Sequence, residues 1–285
     1  MYRFLLKPRW ILSHLFVAAC VLVFIDLGFW QLRRLDERQA TNAAVEAAEA
    51  QAPVPLDDLL PAGVDTTSDE VDAAEYRVVE VTGTYRTDQQ VLVTNRTYES
   101  APGYWVLTPL VQSDGTAVVV NRGWIPFSYT EEGDWSDFDP PDGTVNVVGM
   151  VRPPQVRDGG ALVAGPQDAA DGTLRALARV DVGRLQQQVG ETLHPLYVNL
   201  ESQSPAQSAT AGPTGEPLPV PVPRPTLDEG PHFGYAMQWF IFALLTVIVY
   251  PLLLRRVARR RLQGDPDEAS PTEPGTMDVP VTESR

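Results

Sequence analysis

The sequence predicts a membrane protein in which two transmembrane helices flank an extracytoplasmic antiparallel β domain with minor α content, a small barrel or sheet. Three observations carry that expectation. Residues 10–32 form an apolar run with one formal charge, residues 235–254 form a second run with none, and from Tyr76 onward apolar residues alternate with period two. The mean hydropathy of -0.14 hides this division, because it averages two apolar runs with a polar middle and tail.

The first run, about 23 residues, spans roughly 34 Å as a helix, enough for a hydrocarbon core of about 30 Å. A cleaved signal peptide is the competing reading. It is disfavoured because the apolar stretch is long and no small-residue cleavage site follows Trp30-Gln31-Leu32-Arg33-Arg34. Arg3, Lys7 and Arg9 precede the first run, and Arg255, Arg256, Arg259, Arg260 and Arg261 follow the second, so both termini are expected to be cytoplasmic. The location this implies is the plasma membrane, crossed twice, with the lipid bilayer as a partner. Asp26 lies about 24 Å along the first helix, near the outer headgroups. Two readings of it are open, an interfacial acid near Arg33 or a contact with another helix or a partner.

The remaining boundaries follow the composition. Residues 1–9 are the N-terminal flank, and residues 33–75 hold a helical stalk and loop, since 33–50 is rich in Ala, Glu, Gln, Leu and Arg before Pro53 and Pro55. Residues 76–201 form the β domain, with β-branched and aromatic runs separated by turns such as Ser113-Asp114-Gly115 and Asp142-Gly143. Within it, residues 181–189 read as a helix capped by Asp181, residues 194–201 as a last strand, and the Gly/Ala-rich stretch 158–172 as a surface loop. Residues 202–231, with eight prolines from Pro205 to Pro231, read as a semi-rigid linker without a fold. The second span is assigned to 232–254, and 255–285 is a basic then acidic tail expected to be disordered.

Composition narrows the chemistry. The chain has 285 residues, and 22 basic against 37 acidic side chains give a net charge of -15, which repels a phosphate backbone and excludes nucleic acid as a partner. One cysteine, Cys20, excludes an internal disulfide and a thiolate cage. No nucleophile elbow, H-E-x-x-H, P-loop or dinucleotide fingerprint is present, so the chain is not expected to be an enzyme. Paired carboxylates (Asp57/Asp58, Glu131/Glu132, Asp137/Asp139) read as solvated loops in so acidic a domain. Of the three histidines, His194 reads as a strand-boundary residue. His14 and His232 fall at opposite ends of the spans, a membrane thickness apart, so they cannot share a metal.

Leu27-Gly28-Phe29-Trp30-Gln31-Leu32-Arg33-Arg34-Leu35, at the end of the first apolar run, and Val81-Thr82-Gly83-Thr84-Tyr85, in the first strand-like run, open a series of motifs that resembles the Surfeit locus protein 1 family, membrane factors that assist cytochrome oxidase assembly. The stretch from Gly103 to Leu110 followed by Val119-Val120-Asn121-Arg122-Gly123-Trp124-Ile125-Pro126 resembles its central pair of motifs. His232-Phe233-Gly234-Tyr235-Ala236-Met237-Gln238-Trp239-Phe240 resembles the opening of its second span. The resemblance leaves out residues 202–229 and the acidic tail.

The resemblance implies a factor that assists haem a delivery to, or insertion into, the catalytic subunit of a haem-copper oxidase. Haem a synthase is a further partner to consider. Bacterial family members are implied to handle haem a at His232, with Tyr235 and Trp239 on the same helical face. On residue chemistry alone, His232 is either an axial ligand to haem iron or an interfacial anchor. Asn121, Arg122 and Trp124 sit at a strand end, with Gly123 free to take a positive φ. They form either a structural turn whose Arg pairs with an Asp or an outward recognition corner. Together with Trp30, Gln31 and Arg34 they are the candidate partner contacts. The alternative function is a membrane-anchored extracytoplasmic sensor or binding module without haem.

Overall fold

The computed structural model describes residues 6–129, 133, 135–155, 168–169, 171–207, 210–211, 215 and 217–262. Glu131/Glu132, most of the expected loop 158–172 and the tail beyond 262 lie outside the described residues. In chain order the elements are α1 (Pro8–Glu49), β1 (Val54–Pro55), α2 (Leu56–Leu59), α3 (Asp69–Ala73), β2 (Val78–Tyr85), β3 (Val91–Tyr98), β4 (Ala101–Val111), β5 (Thr116–Pro126), β6 (Thr144–Arg152), β7 (Ala176–Leu177), α4 (Val182–Gln186), β8 (Thr192–Ser204), β9 (Thr210–Ala211), β10 (Pro217–Leu218) and α5 (His232–Leu262). They divide into two compact units, one drawn from residues 1–40 and 228–285 and the other from 41–227.

The first unit is a helical pair. Both helices are long and apolar enough to cross a membrane. Helix α1 has 42 residues, roughly 63 Å at 1.5 Å per residue, about twice a hydrocarbon core. Only its first half is apolar, and the second half persists as helix because Ala, Glu, Gln and Arg favour it. Proline opens α1 at Pro8, where no helical N–H is needed.

The two helices run antiparallel. His14 meets Tyr250, Phe24 stacks on Trp239 with centroids 5.7 Å apart, and Phe29 meets Phe240 edge-on at 5.4 Å. Gly28 lets them approach, because a Cβ there would fall 2.5 Å from the Phe240 ring. Asp26 is exposed, so it is not held in the seam between α1 and α5.

The second unit is a small barrel with extra strands. The sheet order is β1-β2-β6-β8-β5-β4-β3-β7, and a further pairing of β2 with β4 (Thr84 with Val111, Tyr85 with Leu110) closes β2, β6, β8, β5 and β4 into a ring. The expected wholly antiparallel sheet is corrected here, because β5 pairs with β8 in parallel, as do β1 with β2 and β3 with β7. A closed ring of five strands cannot alternate direction at every junction, so one pair must be parallel. The return that the parallel pair β5 and β8 needs is made by β6, which lies antiparallel on the other side of β8.

Burial explains the strand spacing. Along β2 the alternation is regular, and inward Val79 and Val81 join Val118, Val120, Val147, Leu196 and Val198 in the barrel core. Strand β5 is buried on both faces, because Ala117 and Val119 point the other way, into a second cluster with Leu177, Val182, Leu185 and Tyr197. Helix α4 belongs to that cover, and Asp181 caps it by accepting the Arg184 N–H at 2.8 Å. The segment 202–231 does more than link. Strand β8 continues to Ser204, β9 pairs with β10, and Val220 exchanges two backbone hydrogen bonds with Trp124.

Candidate functional site

The candidate residues fall into the two units and are described unit by unit. In the barrel, Asn121, Arg122 and Trp124 occupy the end of β5. The ladder with β4 pairs Val106 with Gly123 and Leu107 with Asn121, so Arg122 is the extra residue of a β-bulge. Gly123 takes φ +129, and a Cβ there would collide with the Val220 carbonyl at 2.3 Å, so only glycine fits. Asn121 donates to Asn199 Oδ1 at 3.0 Å and accepts from the Gly123 N–H.

The bulge turns Arg122 inward. Its residual exposure is 1%, against 0% for Asn121 and 4% for Trp124, so none of the three side chains projects outward from this turn. Arg122 donates from Nη1 to Gln90 Oε1 at 2.8 Å and from Nη2 to the Phe138 carbonyl, and it lies over the Tyr85 ring. Its chief partners are neutral acceptors where an Asp was expected. Burial pulls its pKa down to about 10, partly opposed by Tyr85 and Asp139. Nothing in the local sequence marks Gln90, Thr108 or the Phe138 carbonyl as the seat of this guanidinium, since each belongs to another element.

His194 is fully buried. Its Nδ1 faces the Leu60 carbonyl at 3.0 Å, and its Nε2 faces both the Gln112 amide at 3.0 Å and the Asp57 carboxylate at 3.2 Å. Burial holds its pKa below the ordinary imidazole value, against smaller opposing effects from the Leu60 carbonyl and Asp57. Both nitrogens are used in joining residues 57–60 to β8. It is a structural histidine.

In the helical pair the motif at the end of the apolar half of α1 meets the motif that opens α5. His232 is the first residue of α5, half-buried, and its Nδ1 lies 2.9 Å from Gln31 Oε1 across 201 positions of sequence. Among the described residues Nε2 has no hydrogen-bond partner. Phe233 and Tyr235 stand 60% and 49% exposed, whereas Trp239 is half-buried against Phe24 and Phe242. On α1, Arg34 lies over the Trp30 ring at 5.7 Å and pairs with Glu37. The structure thus brings Gln31 to His232 and Arg34 to Trp30, while Tyr235 remains on an exposed face. The Gln31 partnership is legible only in three dimensions.

His14 differs from His232. Its Nδ1 meets the Tyr250 hydroxyl at 2.7 Å, a group that can donate or accept, so the contact does not dictate which nitrogen carries the proton. Among the described residues no group of three or more His, Cys, Asp or Glu gathers to hold a bare metal ion.

Comparison with known proteins adds the relationship. A model of the SURF1 family matches residues 18–244. An uncharacterised SURF1-like protein of Mycobacterium bovis is 28% identical over 272 residues, covering 94% of this chain and 93% of its own. The cytochrome oxidase assembly protein SHY1 of Saccharomyces cerevisiae is 31% identical over 147 residues, 49% of this chain and 35% of its own. A SURF1-like protein of Rickettsia bellii is 22% identical over 253 residues, covering 88% and 94% respectively. The matched span runs from the apolar half of α1, through the barrel, into α5, and the chain belongs to the SURF1 family.

Proposed function

We propose that this chain is a membrane-anchored assembly factor for cytochrome oxidase that receives haem a at His232 and passes it to the oxidase catalytic subunit, without itself being an enzyme. Family membership and the oxidase-assembly name of the yeast relative support the assembly role. The observation that carries the haem part is the His232 imidazole, with one nitrogen engaged by Gln31 and the other without a hydrogen-bond partner among the described residues, beside exposed Phe233 and Tyr235.

These residues fit the group. When bound, haem a would supply a redox-active iron already held within its own ring, so the protein would need to offer one donor nitrogen and an apolar surface. His232 would offer the nitrogen, and Phe233 and Tyr235 would offer apolar contact. A single imidazole would give a moderate hold, which a recipient with more ligands would outcompete. The length and apolar character of α1 and α5 support seating the acceptor function in a bilayer, and the basic flanks support cytoplasmic termini with the barrel outside. Haem a synthase is the natural donor, since it makes the ligand received.

The test is purification in detergent after co-expression with haem a, followed by an optical spectrum and pigment extraction. Wild-type chain is expected to carry haem a, His232→Ala to lose or shift its Soret band, and His14→Ala and His194→Ala to match wild type. Retention of haem by His232→Ala with the same Soret position and stoichiometry rejects the ligand assignment.

A further inference from the structure

Neutral imidazole has one N–H and one lone pair, and whichever nitrogen donates a hydrogen bond leaves the other as the donor to a metal. At His232 the partner of Nδ1 is an amide oxygen, 2.9 Å away, which accepts and cannot donate. The proton is therefore on Nδ1, and the lone pair is on Nε2. An unconstrained imidazole favours the opposite arrangement, so the contact changes the balance. From this we infer that Gln31 is a positioning residue, which sets the tautomer and ring orientation of His232 so that Nε2 is presented for ligation. This rests on the reading of His232 as the haem ligand.

Two neighbouring features agree with that role. Gln31 is borne by α1 one turn beyond Gly28, where the close approach of Phe240 holds α1 and α5 together, so the amide sits on a fixed scaffold and not on a loop. On the other side, Gly230 at φ +71 stands beside the Cδ2–Nε2 edge of the ring, where a Cβ would lie 3.5 Å from Nε2. The absence of a side chain there leaves that edge open. Outer partners of ligating histidines do the same work elsewhere, raising ligand basicity and fixing the ring, and their loss costs about 10- to 100-fold in affinity.

The test uses the full chain in detergent, with ¹⁵N-labelled histidine, at about pH 8, above the ordinary imidazole pKa of about 6.5. His232→Ala assigns the resonance. Wild type is expected to show a protonated Nδ1 and a bare Nε2. Gln31→Met keeps the side-chain length and helix propensity but removes the acceptor, and is expected to shift His232 toward the Nε2–H tautomer. Gln31→Glu restores an acceptor and is expected to restore the wild-type pattern.

Haem a titration of the same samples is expected to weaken about 10- to 100-fold in Gln31→Met and recover in Gln31→Glu. An unchanged tautomer in Gln31→Met overturns the inference, and so does a changed tautomer with unchanged haem a affinity. Failure of the underlying ligand assignment is read separately, as haem a binding that survives in His232→Ala.

Discussion

The helical pair and the barrel each carry a motif of the same family, and the two motifs end in opposite surroundings. Asn121-Arg122-Gly123-Trp124 is withdrawn into the barrel, where a guanidinium is spent on Gln90 and the Phe138 carbonyl. Phe29-Trp30-Gln31 and His232-Phe233 remain partly exposed, with a single polar tie between them. A residue buried with all its neighbours in place can fix a fold but cannot meet a ligand or a partner directly. Chemistry that must be handed on needs a group with an open valence. On the proposed reading the barrel corner supports and the helical pair acts.

The sharpest way to break this contrast is at Arg122. Arg122→Ala takes a donor from Gln90 Oε1, which keeps the Thr108 hydroxyl, and the principal donor from the Phe138 carbonyl, and leaves a cavity in place of a long side chain, while relief of a buried charge offsets part of the loss. The expected net cost is about 3 kcal/mol of stability, read as a fall in the denaturant midpoint followed by barrel fluorescence. A midpoint within error of wild type would return Arg122 to the list of surface contacts.

Gly123→Ala is the next test. It forces a side chain into φ +129 and against the Val220 carbonyl, at an expected cost of about 1–3 kcal/mol. A neutral result there would mean that the segment around Val220 does not pack on β5 as described.

A smaller and pH-dependent effect belongs to His194. Burial holds its folded pKa below the unfolded value, so the unfolded chain takes up the proton first. Stability is then complete above about pH 6.5 and falls as pH drops through the ordinary imidazole range, with Asp57 offsetting part of the loss. The carboxylates held low by Thr67, Arg86 and Thr116 (Asp65, Asp88 and Asp114) act at lower pH, so they do not confuse the window. His194→Asn should flatten the slope between about pH 6.5 and 5. An unchanged slope would show that His194 is not the group responsible.

How much of this was legible in the sequence follows from the range of each interaction. The apolar runs of α1 and α5 and the alternation of β2 depend on neighbours a few residues apart, and they read directly from the chain. The Asp181 cap and the positive φ of Gly123 are local as well, and both were foreseeable. The parallel junction of β5 with β8 was not, because it follows from closing an odd ring, a property of five strands together. Nor was the burial of Arg122. Its acceptors come from a turn before β3 and from a segment after β5, with no periodicity linking them. His232 stood out by its aromatic neighbours and its place before an apolar run, yet its hydrogen bond to Gln31 joins positions that no local pattern connects.

The central claim is that His232 on the helical pair carries the haem a that reaches the oxidase. It is tested most directly in a host whose own copy of the gene is deleted and replaced by wild type or by His232→Ala at matched membrane levels. The quantity to measure is the haem a content of the purified oxidase catalytic subunit. Wild type should give full occupancy and His232→Ala a clear deficit. Full haem a occupancy with His232→Ala would contradict the account.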